Sequence, residues 1–518
     1  MRPKEKQATP QVAFVFLGPL TNEPPAIAGN RARQRGFVSV LDYPYEPPYV
    51  SRQQSAATRV RECLRYPYEP PYVSRQQSAA ARVRERPRLS TKGVSFMKRL
   101  HAGIISTLLS LTMTLTPCSI LALAAQENSR DFSLFFSGPG VQNISSGDEY
   151  SEYQWALHNT GRLRRTEKVL NIKTLDHIYL HYGENGIDDI ALPPLGPDNF
   201  ESINTDAVAN IDINIEDAWK TYSKTENKRT VTVAIIDTGI DTTHSDLKDS
   251  IWVNEDEIPG DGIDNDGNGY VDDVNGWNFV SNSNEICTGE EDSHGTHGAG
   301  TIAAAWNNGG IAGITDNTHV KLMVLKALGG SDGKGSPESV IEAMKYAEAN
   351  GADICNLSFG SGNCTPEFEA AIRDSKMLFV VAAGNGNQYQ VGYDIDKSPV
   401  YPASLPYDNV ITVGNLLFNG RLDDSSNYGA VSVDLAAPGT YILSTIPGDS
   451  YAYMSGTSMA APMVTGAAAL IYSARTDLSL QDIKTAILST VHKLAPLKGK
   501  TATGGMLDVS AAIKWTKN

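Results

Sequence analysis

Cysteine is scarce, with five residues in a chain of 518. That is too few for a fold stapled together by disulfides. Long apolar runs are missing too. Ile104–Leu115 falls short of the roughly 20 residues that cross a bilayer, and nothing downstream is long enough, so no stable membrane anchor is expected. Basic charge is also lacking. The 44 Lys and Arg are outnumbered by 59 Asp and Glu, for a formal net charge of −15, and nucleic acid is not expected as a partner. What remains is an ordinary soluble composition, 41% hydrophobic and 20% charged. The charge is unevenly spread. Residues 1–96 hold 16 Lys or Arg against 7 Asp or Glu, so the downstream body is strongly acidic, which suits solubility and divalent-cation binding.

Residues 1–96 stand apart in other ways. The stretch Tyr43–Ala57 recurs at Tyr66–Ala80, 23 residues further on, rich in Pro, Arg and Gln and without helical or strand period. A near-identical copy of this kind resembles a recent duplication, and a basic, disordered extension without a folded role is expected. A new beginning follows. Met97-Lys98-Arg99, the apolar Ile104–Leu115 and Ala122-Leu123-Ala124 occur in the order of a secretory signal peptide over 97–124. Translation is therefore expected to start at Met97 and the product to be secreted, with 125–148 as a short pro-segment or linker. The folded body should occupy 149–518, with 162–208 as an insertion whose loops are marked by Pro193-Pro194 and Pro197. Cys63 and Cys118 fall upstream of that body. Of the other three, Cys355 lies in the apolar run Ala352–Leu357, while Cys287 and Cys364 sit in polar stretches, so a Cys287–Cys364 bridge is the expected pairing.

Within the body, Val231–Ile236, Val320–Ala327, Ile354–Leu357, Leu378–Ala383 and Val410–Val413 are short and continuously apolar, as buried parallel strands are. Helical patterns lie between them. The clearest starts at Ser336-Pro337-Glu338, an N-cap, a proline at N1 and an acidic first turn, and runs to Gly351. Strand–helix alternation predicts an α/β fold in three layers, a mainly parallel central sheet flanked by helices.

Four stretches carry chemistry. Val231–Ile236 leads into Asp237-Thr-Gly239, a carboxylate at a strand end, where open α/β sheets line their binding crevice. Alone it reads equally as a turn residue. Asp292-Ser-His294-Gly-Thr-His297 offers a histidine whose ordinary pKa near 6.5 suits a general base. Zinc is disfavoured, because H-E-x-x-H is absent. Ser455-Gly-Thr-Ser458-Met-Ala-Ala-Pro462 places a hydroxyl at the start of an Ala-rich helix, near N–H groups that stabilise an oxyanion, although a plain N-cap looks the same. Leu378–Ala383 leads into Gly384-Asn385-Gly386, an amide that can donate to an oxyanion or simply make a turn. The second Gly of G-x-S-x-G is missing, which counts against an α/β-hydrolase elbow.

Together, in this order, these motifs resemble the subtilisin-like serine proteases, the subtilases. The resemblance runs from about Glu149 to the C-terminus. It implies a subtilisin-like fold and a serine endopeptidase that hydrolyses peptide bonds in proteins through an acyl-enzyme. The triad would be Asp237, His294 and Ser458, with Asn385 as oxyanion donor and His297 in a supporting role. By the same resemblance, protein or peptide substrates would bind as an extended strand between Gly333-Lys334-Gly335 and Ser358-Phe359-Gly360, and the enzyme would act as an extracellular monomer. A non-catalytic binding protein on this scaffold and an esterase are the competing readings. Gln154-Trp155-Ala156-Leu157 resembles the start of the family's protease domain and follows Ala124 too closely for a long pro-domain.

One acidic stretch remains. Asp264, Asp266 and Asn268 alternate ahead of Gly269, as in the first half of an EF-hand loop, but Asn275 stands where the twelfth-position Glu belongs. A full EF-hand is excluded. Crowded carboxylates repel without a cation, so a structural Ca²⁺ held by Asp264, Asp266, Asn268 and Asp273 is expected. A second site near Asp246 and Asn308 is implied by the resemblance alone.

Overall fold

The computed structural model describes residues 13–14, 132–136, 148–170, 179–183, 186–191, 200–329, 333–387 and 390–517. The expected signal peptide and the repeated segment lie outside the described residues. The centre of the fold is a nine-stranded sheet. Its strands are β1 (Val231–Asp237), β2 (Gly276–Asn278), β3 (Val320–Lys326), β4 (Ile354–Leu357), β5 (Leu378–Ala382), β6 (Val410–Leu416) and β7 (Leu435–Pro438). A hairpin of β8 (Ile442–Ile446) and β9 (Ser450–Met454) stands outside the sheet, and β10 (His492–Lys493) and β11 (Gly505–Met506) complete it. The strand order is β10-β11-β7-β6-β5-β4-β1-β3-β2. Only the β10–β11 pair is antiparallel.

The unbroken apolar runs are explained by burial on both faces. In β1, Val231, Val233 and Ile235 enter one apolar cluster while Ala234 and Ile236 enter the other. In β3 the split is Leu322 and Val324 against Met323 and Leu325. The helices are α1 (Ile215–Ser223), α2 (Ser293–Ala303), α3 (Pro337–Ala349), α4 (Pro366–Arg373), α5 (Thr457–Ala474), α6 (Leu480–Ser489) and α7 (Val509–Ile513). Buried residues of α1, α2, α5, α6 and α7 join the first cluster, and those of α3 and α4 the second. This is the expected three-layer α/β arrangement. Helix α3 begins as predicted, with Ser336 Oγ accepting from the Ser339 N–H at 3.1 Å and Pro337 at its first position.

Topology positions the site. The chain passes from β1 to β3 on one side, then returns to lay β4 on the other. Such a reversal opens a crevice at the carboxyl ends of the strands. Residues following β1, β4 and β5 all emerge there.

The segment expected as an insertion builds one small antiparallel sheet of its own and shares another with a strand from the expected pro-segment. Leu163–Leu170 pairs with both Phe132–Phe136 and Phe200–Asp206, and Tyr179–Gly183 pairs with Gly186–Ala191. At its base, Arg165 approaches Asp423 at 3.7 Å and lies over the Tyr441 ring.

The expected Cys287–Cys364 bridge is not formed; Cys287, Cys355 and Cys364 are all free thiols. Polar surroundings do not make two loops neighbours. Cys287 lies in the loop before α2, where burial, then the Asp292 charge, pushes its thiol up to about 11. Cys364 precedes α4 and packs against the second apolar cluster.

Candidate active site

Asp237 is the last residue of β1 and only 2% exposed. Its Oδ1 accepts from the Thr238 N–H at 2.7 Å and meets His294 Nδ1 at 2.7 Å. The backbone then turns at Gly239, with φ of 113°, where an added Cβ would lie 2.5 Å from the Ile286 carbonyl oxygen and 2.6 Å from Asp292 Oδ1. Only glycine allows that approach. His294 is the second residue of α2, and the next residue, Gly295, donates its N–H to Thr238 Oγ1 at 3.1 Å. With Nδ1–H donated to the carboxylate, Nε2 carries the lone pair a general base needs. Burial works against the imidazolium, but the Asp237 charge and hydrogen bond outweigh it, and the pKa of His294 is raised. His297 behaves oppositely. It is fully buried, its Nε2 is bonded to the Ile442 carbonyl at 2.9 Å, and burial pushes it down to about 4.

Ser458 is the second residue of α5, so its N–H is one of the helix's unsatisfied first-turn donors. Its Oγ donates to the Ser358 carbonyl at 2.9 Å, and Ser358 Oγ donates back to the Ser458 carbonyl at 3.0 Å. Among the described residues, Ser458 Oγ makes no hydrogen bond to His294. Asn385 follows β5, and its Oδ1 accepts from both the N–H and the hydroxyl of Thr457, at 2.8 and 2.9 Å. That anchoring fixes the amide and leaves Nδ2 as a free donor among the described residues. Asn427, unmarked in the sequence, braces the same loop. Its Nδ2 donates to the Ala383 carbonyl at 2.9 Å and its Oδ1 accepts from the Gly386 N–H at 3.2 Å.

Both glycine-bearing segments border this group. Ser358 touches Ser458 directly, and half-buried Phe359 packs on the second apolar cluster. At Gly360 a Cβ would crowd Val400 at 2.9 Å, and at Gly335 one would strike the Ala327 carbonyl at 2.2 Å. Lys334 pairs with Gly329, closing a loop just past β3, and Gly333 faces Thr238.

Residues 228–506, more than half of the chain, match the subtilase family. The chain belongs to that family. It is 35% identical over 308 residues to subtilisin-like protease 1 of Plasmodium berghei, covering 56% of this chain and 50% of that protein. It is 37% identical over 264 residues to the major intracellular serine protease of Bacillus subtilis, covering 50% of this subtilase and 74% of the relative. Subtilisin DY of Bacillus licheniformis is 34% identical over 293 residues, 55% of this chain and 91% of its own. The chain thus spans about half the length of the Plasmodium relative it matches.

This subtilase also gathers carboxylates away from Asp237, His294 and Ser458. Glu257, Asp266 and Asp273 have ligand-type oxygens within 4.8 Å of one another. Glu257 and Asp273 are buried, and among the described residues no Lys, Arg or His pairs with any of the three. Asn254 and Asn268 amides donate to Asp266 and Asp273 at 2.9 to 3.0 Å, and the Tyr346 hydroxyl donates to Asp273 at 2.5 Å. Glu257 accepts the N–H groups of Asn265 and Asp272. Asp264 has another task, accepting from the Asn268 and Gly269 N–H groups at 3.0 and 2.9 Å. Those bonds, Gly269's foremost, hold its carboxyl below the usual range. Asn275 donates to the Trp252 carbonyl instead. Near the second expected site, Asp246 accepts from Asn308 Nδ2 at 2.6 Å, the Ile311 N–H at 2.9 Å and the Tyr451 hydroxyl at 3.0 Å.

Proposed function

We propose that this subtilase is a secreted serine endopeptidase acting through Asp237, His294 and Ser458. The observation that supports it most is the Asp237–His294 hydrogen bond of 2.7 Å beside a helix whose first turn carries Ser458. In the reaction, Ser458 Oγ attacks the scissile carbonyl as His294 Nε2 takes its proton, and Asp237 holds the tautomer and stabilises the imidazolium. The Ser458 N–H and Asn385 Nδ2 bind the oxyanion. His294 then protonates the leaving amine, and water releases the acyl group by the same steps. The substrate runs as an extended strand between 333–335 and 358–360, pairing through main-chain groups. The protein acts alone as a monomer on proteins or peptides. Casein digestion together with a serine-directed covalent probe tests this. Labelling of Ser458 with peptide turnover is expected. Ester turnover alone would make it an esterase, and absence of labelling would make it a binding protein.

Secretion rests on the 97–124 pattern. Translation then starts at Met97, and secreted material whose N-terminus lies within 1–96 would overturn that start. A calcium ion held by Glu257, Asp266 and Asp273, with carbonyl or amide oxygens nearby, would tie the 254–273 loop down through charge neutralisation. The hard-oxygen donor set and the absent counter-charge fit such an ion. Chelation is expected to lower the thermal midpoint and open this loop to proteolysis; both unchanged would remove the ion's structural role.

A further inference from the structure

Beside the triad lies an ion pair that the reaction itself does not use. Lys326 ends β3 and is 2% exposed, and Asp292, two residues before His294, is fully buried. The ammonium donates to Asp292 Oδ1 at 2.6 Å, to Glu291 Oε1 at 3.2 Å and to the carbonyl of Thr238, the residue after Asp237. All three of its N–H donors are thus engaged. The other Asp292 oxygen accepts from the N–H groups of Thr288 and Gly289. One ammonium therefore links the end of β1 to the start of α2, the two segments that carry Asp237 and His294.

Two buried charges are a costly way to hold a fold together. An apolar pair of similar volume is often as stable or more so. The place of this pair gives it another use. Gly239 lies so near Asp292 Oδ1 that a Cβ there would come within 2.6 Å, and a Cβ on Gly295 would sit 2.3 Å from the Gly239 carbonyl oxygen. No slack remains between the two segments. Misplacing reacting groups by about 1 Å can cost on the order of 100-fold in rate.

We propose that Lys326 and Asp292 are positioning residues, a buried strut that fixes β1 against α2 and so holds the Asp237–His294 hydrogen bond in register. This rests on the peptidase reading above. Neither residue touches the substrate or the reacting atoms.

The test compares the wild type with Lys326→Met/Asp292→Asn, which removes both charges while keeping an oxygen for the Thr288 and Gly289 N–H groups. Turnover is normalised to sites titrated with the serine-directed probe, and the low-field Nδ1 proton of His294 is followed by NMR. The double variant is expected to fold, to keep KM within about twofold and to lose about 10- to 100-fold in kcat per titrated site. Its Nδ1 proton should move or broaden. Wild-type kcat per site with an unmoved resonance would overturn the proposal, even with a lower thermal midpoint, because the pair would then be structural only. Should the double variant fail to fold, Asp292→Asn alone carries the same expectations and the same refuting outcome. A wild type that neither labels nor cuts casein would overturn the peptidase reading instead. The Nδ1 resonance, which needs no turnover, would still decide the strut.

Discussion

Acidification should destabilise this protein through His297 by an amount the structure sets. The ring is fully buried, its Nδ1 has no hydrogen-bond partner among the described residues, and burial pushes its pKa from 6.5 down to about 4. Below pH 6.5 the unfolded chain takes up a proton at this residue that the folded chain refuses until about pH 4. The unfolded state then binds more protons, so stability is retained above the unfolded pKa and falls as pH falls. Integrated, the loss is about 2 kcal/mol between pH 7 and pH 5 and about 3 kcal/mol once both states are protonated. Other groups titrate over the same range, so a paired comparison is needed. Denaturant unfolding of the Ser458→Ala protein, chosen because the proposed nucleophile is removed, is measured with and without His297→Gln. Glutamine keeps a donor for the Ile442 carbonyl and does not titrate. The histidine protein should lose about 2 kcal/mol more than the glutamine protein on going from pH 7 to 5. Parallel profiles, or a His297 ring proton that titrates near pH 6.5, would refute the reasoning.

Three further outcomes follow from the site. Asn385→Ala should lower kcat by about 100- to 1,000-fold, roughly 3–4 kcal/mol, with KM little changed; a loss confined to KM would show that the amide binds ground state and transition state alike. Because Asp237 raises His294 and the base must be neutral, the acid limb of kcat/KM should lie above pH 6.5. Asp237→Asn should move that limb down while cutting kcat by as much as about 10⁴, and an unmoved limb would assign the titration elsewhere. Gly239→Ala forces a Cβ to within 2.6 Å of Asp292 at a φ of 113°. It should cost about 2 kcal/mol or more; an unchanged calorimetric midpoint would mean the turn is not as tight as the structure has it.

The layers of this fold were readable because burial on both faces leaves a plain mark. A strand such as Val231–Ile236 has no polar alternation to confuse with a half-exposed strand, and the Ser336-Pro337-Glu338 start is a local signal that tertiary context left intact. Strand order was not readable. Nothing in β4 or β3 says that both lie against β1, because pairing partners are selected by packing across the whole sheet. The Cys287–Cys364 expectation failed for the same reason. Loop polarity is a property of each segment, whereas a disulfide needs two segments to meet, and these two thiols remain free.

The site divides along a similar line. Asp237, His294, Asn385 and Ser458 stand in glycine-flanked motifs because each must leave a strand or helix end sharply, and sharp exits constrain neighbouring residues enough to be noticed. The residues that hold them have no such neighbours. Lys326 reads as the polar end of an apolar strand, and Asn427 as one more loop amide. Tyr346 reads as one side of α3 and Glu257 as one acid among many in Asn254-Glu-Asp-Glu257. Each acts through a single side chain on a partner distant in sequence: Lys326 on Asp292 and Thr238, Asn427 on the Asn385 loop, Tyr346 on Asp273. A motif records what the backbone must do locally. The supporting shell is recorded only in the packing, so substitutions there offer the sharper test of how the fold holds its chemistry.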